Sequence, residues 1–311
     1  MRALIVDPDA PARLVLGEAP EPVPAAGQAV VEVRHSSLNS AELYFAGRAE
    51  PGTVLGFDAA GVVVEPAADG TGPAAGARVV TFGDGGGWAE RRAVDVIDLA
   101  VVPDAVDLAD AATLPVAAGT ALRALWQAGP IAGRRVLVTG ASGGVGSFAV
   151  QLAAIGGAHV IASVGSAASG EGLAELGANE VVLGPENVGG PVDVVIDMVG
   201  GAQLAAAYGL LTPGGSLQSI GWASGEAAVL PPGSTLGRRS PTSITSVYNG
   251  AGVTDRPAQL KALLDLVATG RLRPRVSWRG PWDRVAEAAD ALAGRRLQGK
   301  AVLDVTPEPS R

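Results

Sequence analysis

Short apolar runs, separated by proline and glycine clusters, fill the first hundred residues. The runs are residues 3–6, 29–33, 60–64 and 77–82, and β-branched side chains dominate them. Prolines between residues 20 and 24 and glycines between 83 and 87 interrupt the pattern. Runs of this length and composition are typical of β-strands bounded by turns. Their spacing predicts a small β-barrel or sandwich.

The pattern changes after about Asp107. Residues 108–129 have helical periodicity with a break near Pro115, and from Arg134 onward strand-like and helix-like segments alternate. The predicted strands are 135–139, 158–163, 180–183, 192–197 and 215–220, and the predicted helices between them include 145–156, 170–176 and 201–211. Such alternation predicts a parallel sheet covered by helices on both faces.

The last segment, 256–311, contains predicted helices at 257–269 and 283–293 and a closing strand at 300–305. With 311 residues, the chain is long enough for about two domains. We predict a cytoplasmic protein. No apolar run reaches the roughly 18 residues of a membrane span, and acidic residues and a proline stand where a signal peptide has its apolar stretch.

Charge and composition exclude several classes of function. The net charge of −8 disfavours nucleic acid and anionic membrane as partners, because both require a basic surface. The chain has no cysteine, which excludes disulfides, thiolate nucleophiles and cysteine-ligated zinc. Its two histidines, His35 and His159, are far apart in sequence, which excludes a histidine-rich metal site. The expected partner is a small-molecule substrate.

A glycine-rich motif near the middle of the chain carries the strongest functional signal. The apolar run Val136–Val138 is followed by Thr139-Gly140-Ala141-Ser142-Gly143-Gly144-Val145-Gly146 and then by an apolar helical segment. A strand, a glycine turn and a helix in this order predict a dinucleotide site, because the first N–H groups of the helix can hold a pyrophosphate. The alternative is a glycine-rich turn without a ligand.

Two other nucleotide-binding families fit the sequence less well. Short-chain dehydrogenases have a similar glycine motif but also need a tyrosine with a lysine four positions later. None of Tyr44, Tyr208 and Tyr248 has such a lysine. A phosphate-binding P-loop requires lysine after its last glycine, and this chain has Ser147 after Gly146.

Several motifs in the same order resemble the medium-chain dehydrogenase/reductases, specifically their zinc-free quinone oxidoreductase branch. The matching segments are 37–44, 55–63, 87–90, 111–115, 119–121, the glycine motif, 197–201 and 298–300. The resemblance implies an α/β protein with a GroES-like β-barrel domain, residues 1–110 and 256–311, and a Rossmann doubly wound parallel-sheet domain, residues 111–255. It also implies an active site in the cleft between the domains. A homodimer is expected, with 243–249 as the candidate edge strand; a solvent-facing edge is the alternative.

The metal ligands of zinc-dependent relatives are missing. By this resemblance, Asn39 stands where those relatives have cysteine, and Gly56-Phe57-Asp58 stands where they have Gly-His-Glu. We therefore expect no zinc, with hydrogen-bond donors polarising the acceptor oxygen instead.

The segment after the second Rossmann strand favours NADP(H) over NAD(H). NAD-preferring sites place a carboxylate at the end of that strand, whereas here the first carboxylate is Glu171. Small and hydroxyl residues leave room for a 2′-phosphate, although the lysine and tyrosine of some NADPH-using relatives are replaced by Ser169 and Gly184. Arg295 matches an arginine that pairs with the phosphate in some relatives; a solvated surface charge is the alternative. The residues expected to bind the cofactor are Thr120, Ser142, Gly143, Gly144, Val145, Gly146, Ser163, Gly165, Ser166, Ser169, Val199, Gly221, Arg295 and Lys300.

The resemblance implies hydride transfer to a conjugated acceptor, with Tyr44 and Asn39 as the catalytic candidates. A phenol can donate a proton or hydrogen bond at neutral pH, and Tyr44 matches a tyrosine in the cleft of relatives; simple aromatic packing is the alternative. Asn39 can hold a substrate oxygen or the nicotinamide ribose, or instead form a turn with its own backbone. The loop after Tyr44 is shorter than in quinone oxidoreductases and has Ala46 where they often have arginine, so the substrate cleft is expected to differ in shape.

Three functions fit these features. The leading prediction is a zinc-independent, NADP(H)-dependent oxidoreductase that reduces a quinone or an activated alkene. The second is a biosynthetic reductase for one metabolite, such as an enoyl thioester. The third, from another class, is a dinucleotide-binding structural or regulatory protein without turnover. Retention of both Tyr44 and the complete glycine motif argues against the third.

Overall fold

A computed structural model describes residues 1–235 and 241–305. The described residues form two compact units, 1–119 with 250–305, and 120–235 with 241–249. The sequence placed the second unit at 111–255, and residues 306–311 of the predicted first domain lie outside the described residues. Within the described ranges, no helix is both long and apolar enough to span a membrane.

The first unit begins with seven strands and two short helices. They are β1 (Arg2–Val6), β2 (Leu14–Glu18), β3 (Gln28–Leu38), α1 (Ser40–Ala46), β4 (Asp58–Glu65), β5 (Arg78–Phe82), β6 (Arg91–Asp95), β7 (Leu99–Val101) and α2 (Leu108–Ala111). The helical pattern that follows Asp107 breaks at a π-helical turn, Leu114–Ala118, which has Pro115 at its start. Proline lacks an N–H and disfavours a helical residue before it, which explains the break.

The second unit is a parallel sheet with connecting helices. Its elements are α3 (Gly119–Ala128), β8 (Arg135–Thr139), α4 (Gly144–Ile155), β9 (His159–Val164), β10 (Glu180–Leu183), β11 (Val192–Asp197), α5 (Gly201–Gly209), β12 (Leu211–Ser219) and β13 (Ser243–Ser246). All six strands are parallel, in the order β10-β9-β8-β11-β12-β13. The order reverses between β8 and β11, which is where Rossmann folds bind dinucleotides.

The chain then returns to the first unit. The remaining elements are α6 (Arg256–Ala268), β14 (Val276–Pro281), α7 (Val285–Ala293) and β15 (Lys300–Asp304). The main sheet of this unit has the order β14-β15-β3-β4-β5-β7, and β6 also pairs with β3. β15 runs antiparallel to β3, with Ala301 opposite Leu38. This pairing brings β15, the last strand of the described residues, beside the strand that leads into α1.

Each unit has its own apolar core. In the first unit, Leu4, Trp88 and Leu303 belong to one buried cluster that also contains residues of α7. In the second, Leu137, Ile161 and other side chains of the central strands pack with Leu204 and Tyr208 of α5. The predicted fold class, a GroES-like β domain plus a Rossmann parallel sheet, is confirmed.

Two predicted elements need correction. The predicted helix at 170–176 is wrong: only a 3₁₀ turn, Ala168–Gly170, is present, followed by hydrogen-bonded turns. Gly172 has a φ of +77°, in the left-handed region that interrupts a helix. The predicted strand 243–249 is also shorter, because β13 ends at Ser246.

Candidate active site

The glycine motif forms the connection between β8 and α4. Gly140 adopts a φ of +58°, which turns the chain sharply at the carboxyl end of β8. Gly146 allows close packing, because a Cβ atom there would lie 2.2 Å from the carbonyl oxygen of Gly140. Gly143 is the N-cap of α4. The first N–H groups of a helix have no acceptor within the helix. The backbone N–H groups of Gly144, Val145 and Gly146, in the first turn of α4, are therefore donors suited to a pyrophosphate.

The neighbouring strand contributes small hydroxyl residues. Ser163 is paired with Thr139 across the β8–β9 ladder, and its buried Oγ has no hydrogen-bond partner among the described residues. In the loop after β9, Gly165 and Ser166 are exposed, and the hydroxyls of Ser166 and Ser169 are 2.6 Å apart. The orphaned hydroxyl and the open loop fit a polar ligand at this end of the sheet.

Asp197 organises the adjacent edge. It ends β11, and its carboxylate accepts hydrogen bonds from the Thr139 hydroxyl at 2.6 Å and the Gly200 N–H at 3.0 Å. Burial raises the pKa of this carboxyl. Asp197 therefore ties the loop after β11 to the end of β8. Asp197 belongs to a family motif but is not among the site residues predicted from the sequence; its place as the last residue of a buried strand was the available signal.

Three further predicted cofactor residues lie in the second unit. Val199 is close to the glycine motif, since a Cβ on Gly140 would be 3.3 Å from its Cγ2 atom. Gly221 passes close to Met198, whose carbonyl oxygen would be 3.0 Å from a Cβ at Gly221. Thr120 lies in α3, where its hydroxyl accepts a hydrogen bond from Asn249 at 3.2 Å. The structure thus gathers the glycine motif, Ser163 and Val199 at the carboxyl end of the sheet.

A buried polar cluster occupies the first unit where β3 leads into α1. We define it as Asn39, Glu42, Asp58 and Lys300. The Asn39 side-chain amide donates to Asp58 at 2.9 Å, while its carbonyl oxygen accepts from the Lys300 ammonium. Lys300 also donates to the carbonyl oxygen of Leu38 at 3.0 Å, and it lies 3.7 Å from the Asp58 carboxylate. Asn39 and Lys300 are therefore brought together inside this unit.

Glu42 completes the cluster through the first turn of α1. Its carboxylate accepts from the Asn39 N–H at 2.7 Å and the Phe57 N–H at 2.5 Å, an arrangement that caps the helix. Burial, together with the charge of Asp58, raises the pKa of Glu42 to about 8. Burial likewise lowers the pKa of Lys300. Glu42 and Asp58 were not predicted as partners of Asn39 and Lys300, although both belong to the family motifs.

The donor set at these positions does not fit a zinc ion. A carboxamide and a phenyl ring, from Asn39 and Phe57, replace strong zinc ligands. The Lys300 ammonium already places a positive charge beside Asn39. Within residues 1–235 and 241–305, no cluster of three or more histidine, cysteine, aspartate or glutamate side chains is arranged to hold a metal.

Tyr44 lies on the exposed side of α1, away from the buried polar cluster. Its side chain is 56% exposed, and the Arg48 guanidinium carbon lies 3.6 Å from the centre of its ring. Arg295 is exposed in the first unit with a φ of +54°. Direct contacts of Tyr44, Asn39, Arg295 or Lys300 with substrate or cofactor stay predictions, and the structure gives Asn39 and Lys300 internal partners.

Comparisons with known proteins agree with this architecture. Residues 25–104 match the alcohol dehydrogenase GroES-like domain family, and residues 176–303 match the zinc-binding dehydrogenase family. The chain is 30% identical over 329 residues to a probable zinc-binding oxidoreductase, mitochondrial, of Arthroderma benhamiae, covering 96% of each chain. It is 32% identical over 273 residues to a 2-methylene-furan-3-one reductase of Solanum lycopersicum, covering 82% of this chain but 64% of that protein.

Solved structures give the same result. The quinone oxidoreductase from Coxiella burnetii has a TM-score of 0.85 and 26% identity, covering 98% of this chain and 99% of that chain. The yhdH oxidoreductase from Salmonella enterica in complex with NADP has a TM-score of 0.80 and 26% identity, covering 98% of this chain and 100% of that chain. A Rossmann-type sheet with this glycine motif is suited to NAD(P)H. The chain therefore belongs to the medium-chain dehydrogenase/reductase superfamily of oxidoreductases, in its zinc-free quinone oxidoreductase branch.

Proposed function

We propose that this protein is a zinc-independent, NADP(H)-dependent reductase of a quinone or an activated alkene. The observation that carries the proposal is the carboxyl end of the parallel sheet. There the glycine motif presents helix N–H groups, and the loop after β9 has hydroxyls rather than a carboxylate. The NADP-bound Salmonella relative and the tomato reductase support the cofactor and the acceptor class respectively.

The cofactor, when bound, supplies the hydride. The residues of this chain bind it, orient it and complete the reaction with a proton. The N–H groups of Gly144, Val145 and Gly146 hold the pyrophosphate, and Gly143, whose N–H already donates to Gly140, lets it approach the bare backbone. Ser166 and Ser169 donate hydrogen bonds to the 2′-phosphate. Tyr44 donates a proton or hydrogen bond to the acceptor from its exposed phenol. Asn39 orients the substrate oxygen or the nicotinamide ribose. It does so from within the buried polar cluster, where its amide group and its oxygen also have internal partners.

Cofactor preference is tested by adding a carboxylate to the loop after β9. No atom lies within 4 Å of a Cβ built on Gly165, so Gly165→Asp fits without strain in the chain. Its charge is expected to repel a 2′-phosphate and to suit a ribose 2′-hydroxyl. We expect Gly165→Asp to weaken NADPH binding by about tenfold and NADH binding much less. Gly165→Asn is the neutral control of the same shape, and equal effects of both variants on both cofactors would argue against the proposed subsite.

The acceptor is tested with a panel of a quinone, an enone and an enoyl thioester. Oxidation of NADPH, followed by the loss of dihydronicotinamide absorbance, is expected with the quinone or the enone. Turnover of the enoyl thioester alone would favour the biosynthetic alternative. Tight NADPH binding without turnover of any acceptor would favour the non-catalytic alternative, and stoichiometric zinc in the purified protein would overturn zinc independence.

We also propose a homodimer formed through the exposed edge of β13. Its neighbour β12 occupies one side, and three of its four residues are exposed. The Ser246 carbonyl accepts a hydrogen bond from Gln127 at 3.1 Å, and the strand edge around Ile244 offers its backbone donor and acceptor to a second copy. Ile244→Pro would remove an N–H from this edge; a dimer that persists in sedimentation experiments would place the interface elsewhere.

A further inference from the structure

Trp222 rests on the loop that Asp197 holds at the carboxyl end of β11. The turn after β12 is hydrogen-bonded to this loop, with the Ala223 N–H donating to Met198 at 3.2 Å and the Ser224 N–H donating to Val199 at 2.9 Å. The two turns are therefore hydrogen-bonded to each other along one edge. Trp222 projects from it with 54% of its surface exposed.

Gly200 forms the seat of the indole. Its φ is +72°, and a Cβ atom built on it would lie 2.6 Å from Cε3 of Trp222. Any larger residue would therefore displace the ring. The seat is itself fixed, because the Gly200 N–H donates to the buried Asp197 carboxylate. A large aromatic ring seated on a glycine and left half exposed has one face free to pack against a ligand.

The sheet order places this ring in a defined half of the dinucleotide site. A Rossmann sheet consists of two mononucleotide-binding halves that meet at the reversal of strand order. The half with β8, β9 and β10 contains the glycine motif and the loop for the adenosine phosphate. The half with β11, β12 and β13 remains for the nicotinamide nucleotide, and Trp222 follows the end of β12.

We infer that the indole of Trp222 forms a wall of the nicotinamide subsite. This inference rests on the proposed NADP(H) dependence. Val199 approaches Gly140 so closely that a Cβ atom built on Gly140 would lie 3.3 Å from its Cγ2 atom, which brings the glycine motif next to the loop that seats Trp222. An apolar wall at this position would pack against the nicotinamide ring and help exclude water from the reacting carbon.

The test compares a whole cofactor with its adenosine half. Affinities of Trp222→Ala for NADPH and for adenosine 2′,5′-bisphosphate are measured by titration calorimetry. We expect about tenfold weaker NADPH binding and an unchanged affinity for the adenosine half, as one aromatic contact is lost. Trp126→Ala is the matched control, because Trp126 lies in α3 of the same unit and is 52% exposed; it should leave both affinities unchanged.

A second variant and a second signal guard against loss of the local fold. Trp222→Phe keeps an aromatic ring on Gly200 and should lose less NADPH affinity than Trp222→Ala. It should also reduce energy transfer from tryptophan to bound NADPH more than Trp126→Phe does. Equal weakening of both ligands, or no weakening of NADPH, would overturn the role of Trp222. A wild-type protein that binds neither ligand would instead overturn the proposed cofactor, and this inference with it.

Discussion

The ammonium of Lys300 in β15 donates a hydrogen bond to the side-chain oxygen of Asn39, 261 residues earlier in the chain. The antiparallel pairing of β15 with β3 creates this contact. By resemblance, Asn39 occupies the position of a zinc ligand in metal-dependent relatives. Lys300 of β15 thus supplies an internal positive charge beside Asp58 and Glu42, where a metal ion would supply it in those relatives.

Removing this charge should destabilise the first unit. Lys300→Met keeps the apolar length of the side chain but leaves the buried Asp58 carboxylate without the ammonium, which lies 3.7 Å away in the wild type. Breaking a buried ion pair from one side costs about 3 kcal/mol or more. We expect a decrease of this order in the free energy of unfolding, measured by denaturant titration.

The chain contains a matched control, because Lys261 is its only other lysine. Lys261 forms an exposed pair with Asp265 in α6. Exposed pairs of this kind contribute about 0.5 kcal/mol or less, so Lys261→Met should change stability little. Equal effects of the two substitutions would show that the Lys300 contacts contribute no more than a surface pair.

The raised pKa of Glu42 predicts a specific pH dependence. In the unfolded chain this carboxyl titrates near 4.5, whereas in the folded protein its pKa is about 8. Between these values the unfolded state has lost the proton that the folded state keeps. The contribution of Glu42 to the free energy of unfolding therefore falls as pH rises, by at most about 1.4 kcal/mol per pH unit.

Glu42→Gln isolates this contribution because glutamine does not titrate. The difference in unfolding free energy between wild type and variant should decrease from about pH 5 to pH 8. Subtraction removes the contributions of other groups, such as His35, whose pKa is lowered by burial. Parallel curves for the two proteins would show that Glu42 has the same pKa in both states.

Substitutions of two aspartates at opposite ends of β11 are expected to affect different properties, NADPH affinity in one case and stability in the other. Asp197→Asn replaces an acceptor of the Thr139 and Gly200 hydrogen bonds at the carboxyl end. We expect about tenfold weaker NADPH binding, because the loop beside the glycine motif loses its anchor. Asp193 accepts from the Arg135 N–H and the Thr212 hydroxyl at the amino end. Asp193→Asn should lower stability without changing NADPH affinity, and a similar loss of affinity in both variants would contradict the local role of Asp197.

Periodicity and turn residues were sufficient to predict most of the fold. Strands β8 to β11 and helix α4 are short apolar segments. Their own residues and the turn residues that flank them in sequence were enough to predict them. The prediction of a helix at 170–176 was wrong because its glycines, Gly170 and Gly172, have little helix propensity. The glycine motif was found because one continuous segment carries it.

The buried polar cluster could not be found in this way. Lys300 and Asn39 are neighbours only through the β15–β3 pairing, and nothing near either residue in sequence indicates the other. The seat of Trp222 on Gly200 could not be predicted either, since it depends on two turns that follow different strands. Contacts of this kind depend on tertiary packing, so local sequence patterns do not predict them.

Tyr44→Phe tests the proposed proton donor with little disturbance of the structure. The Arg48 guanidinium packs on the face of the ring, and a phenylalanine ring keeps this cation–π contact. The side chain is mostly exposed, so the fold does not depend on its hydroxyl. We expect turnover to fall by on the order of 10²-fold, with NADPH affinity unchanged in the same preparation.

The control for this substitution is Tyr248→Phe, because Tyr248 is also exposed but has no predicted catalytic role. It should retain wild-type turnover. If Tyr44 only packs against its neighbours, the phenylalanine ring will replace it fully and turnover on the best acceptor will not change. That result would remove Tyr44 from the mechanism and leave solvent or the nicotinamide ribose as the source of the proton. A large loss of turnover with intact NADPH binding would instead assign the exposed phenol a direct part in the reaction.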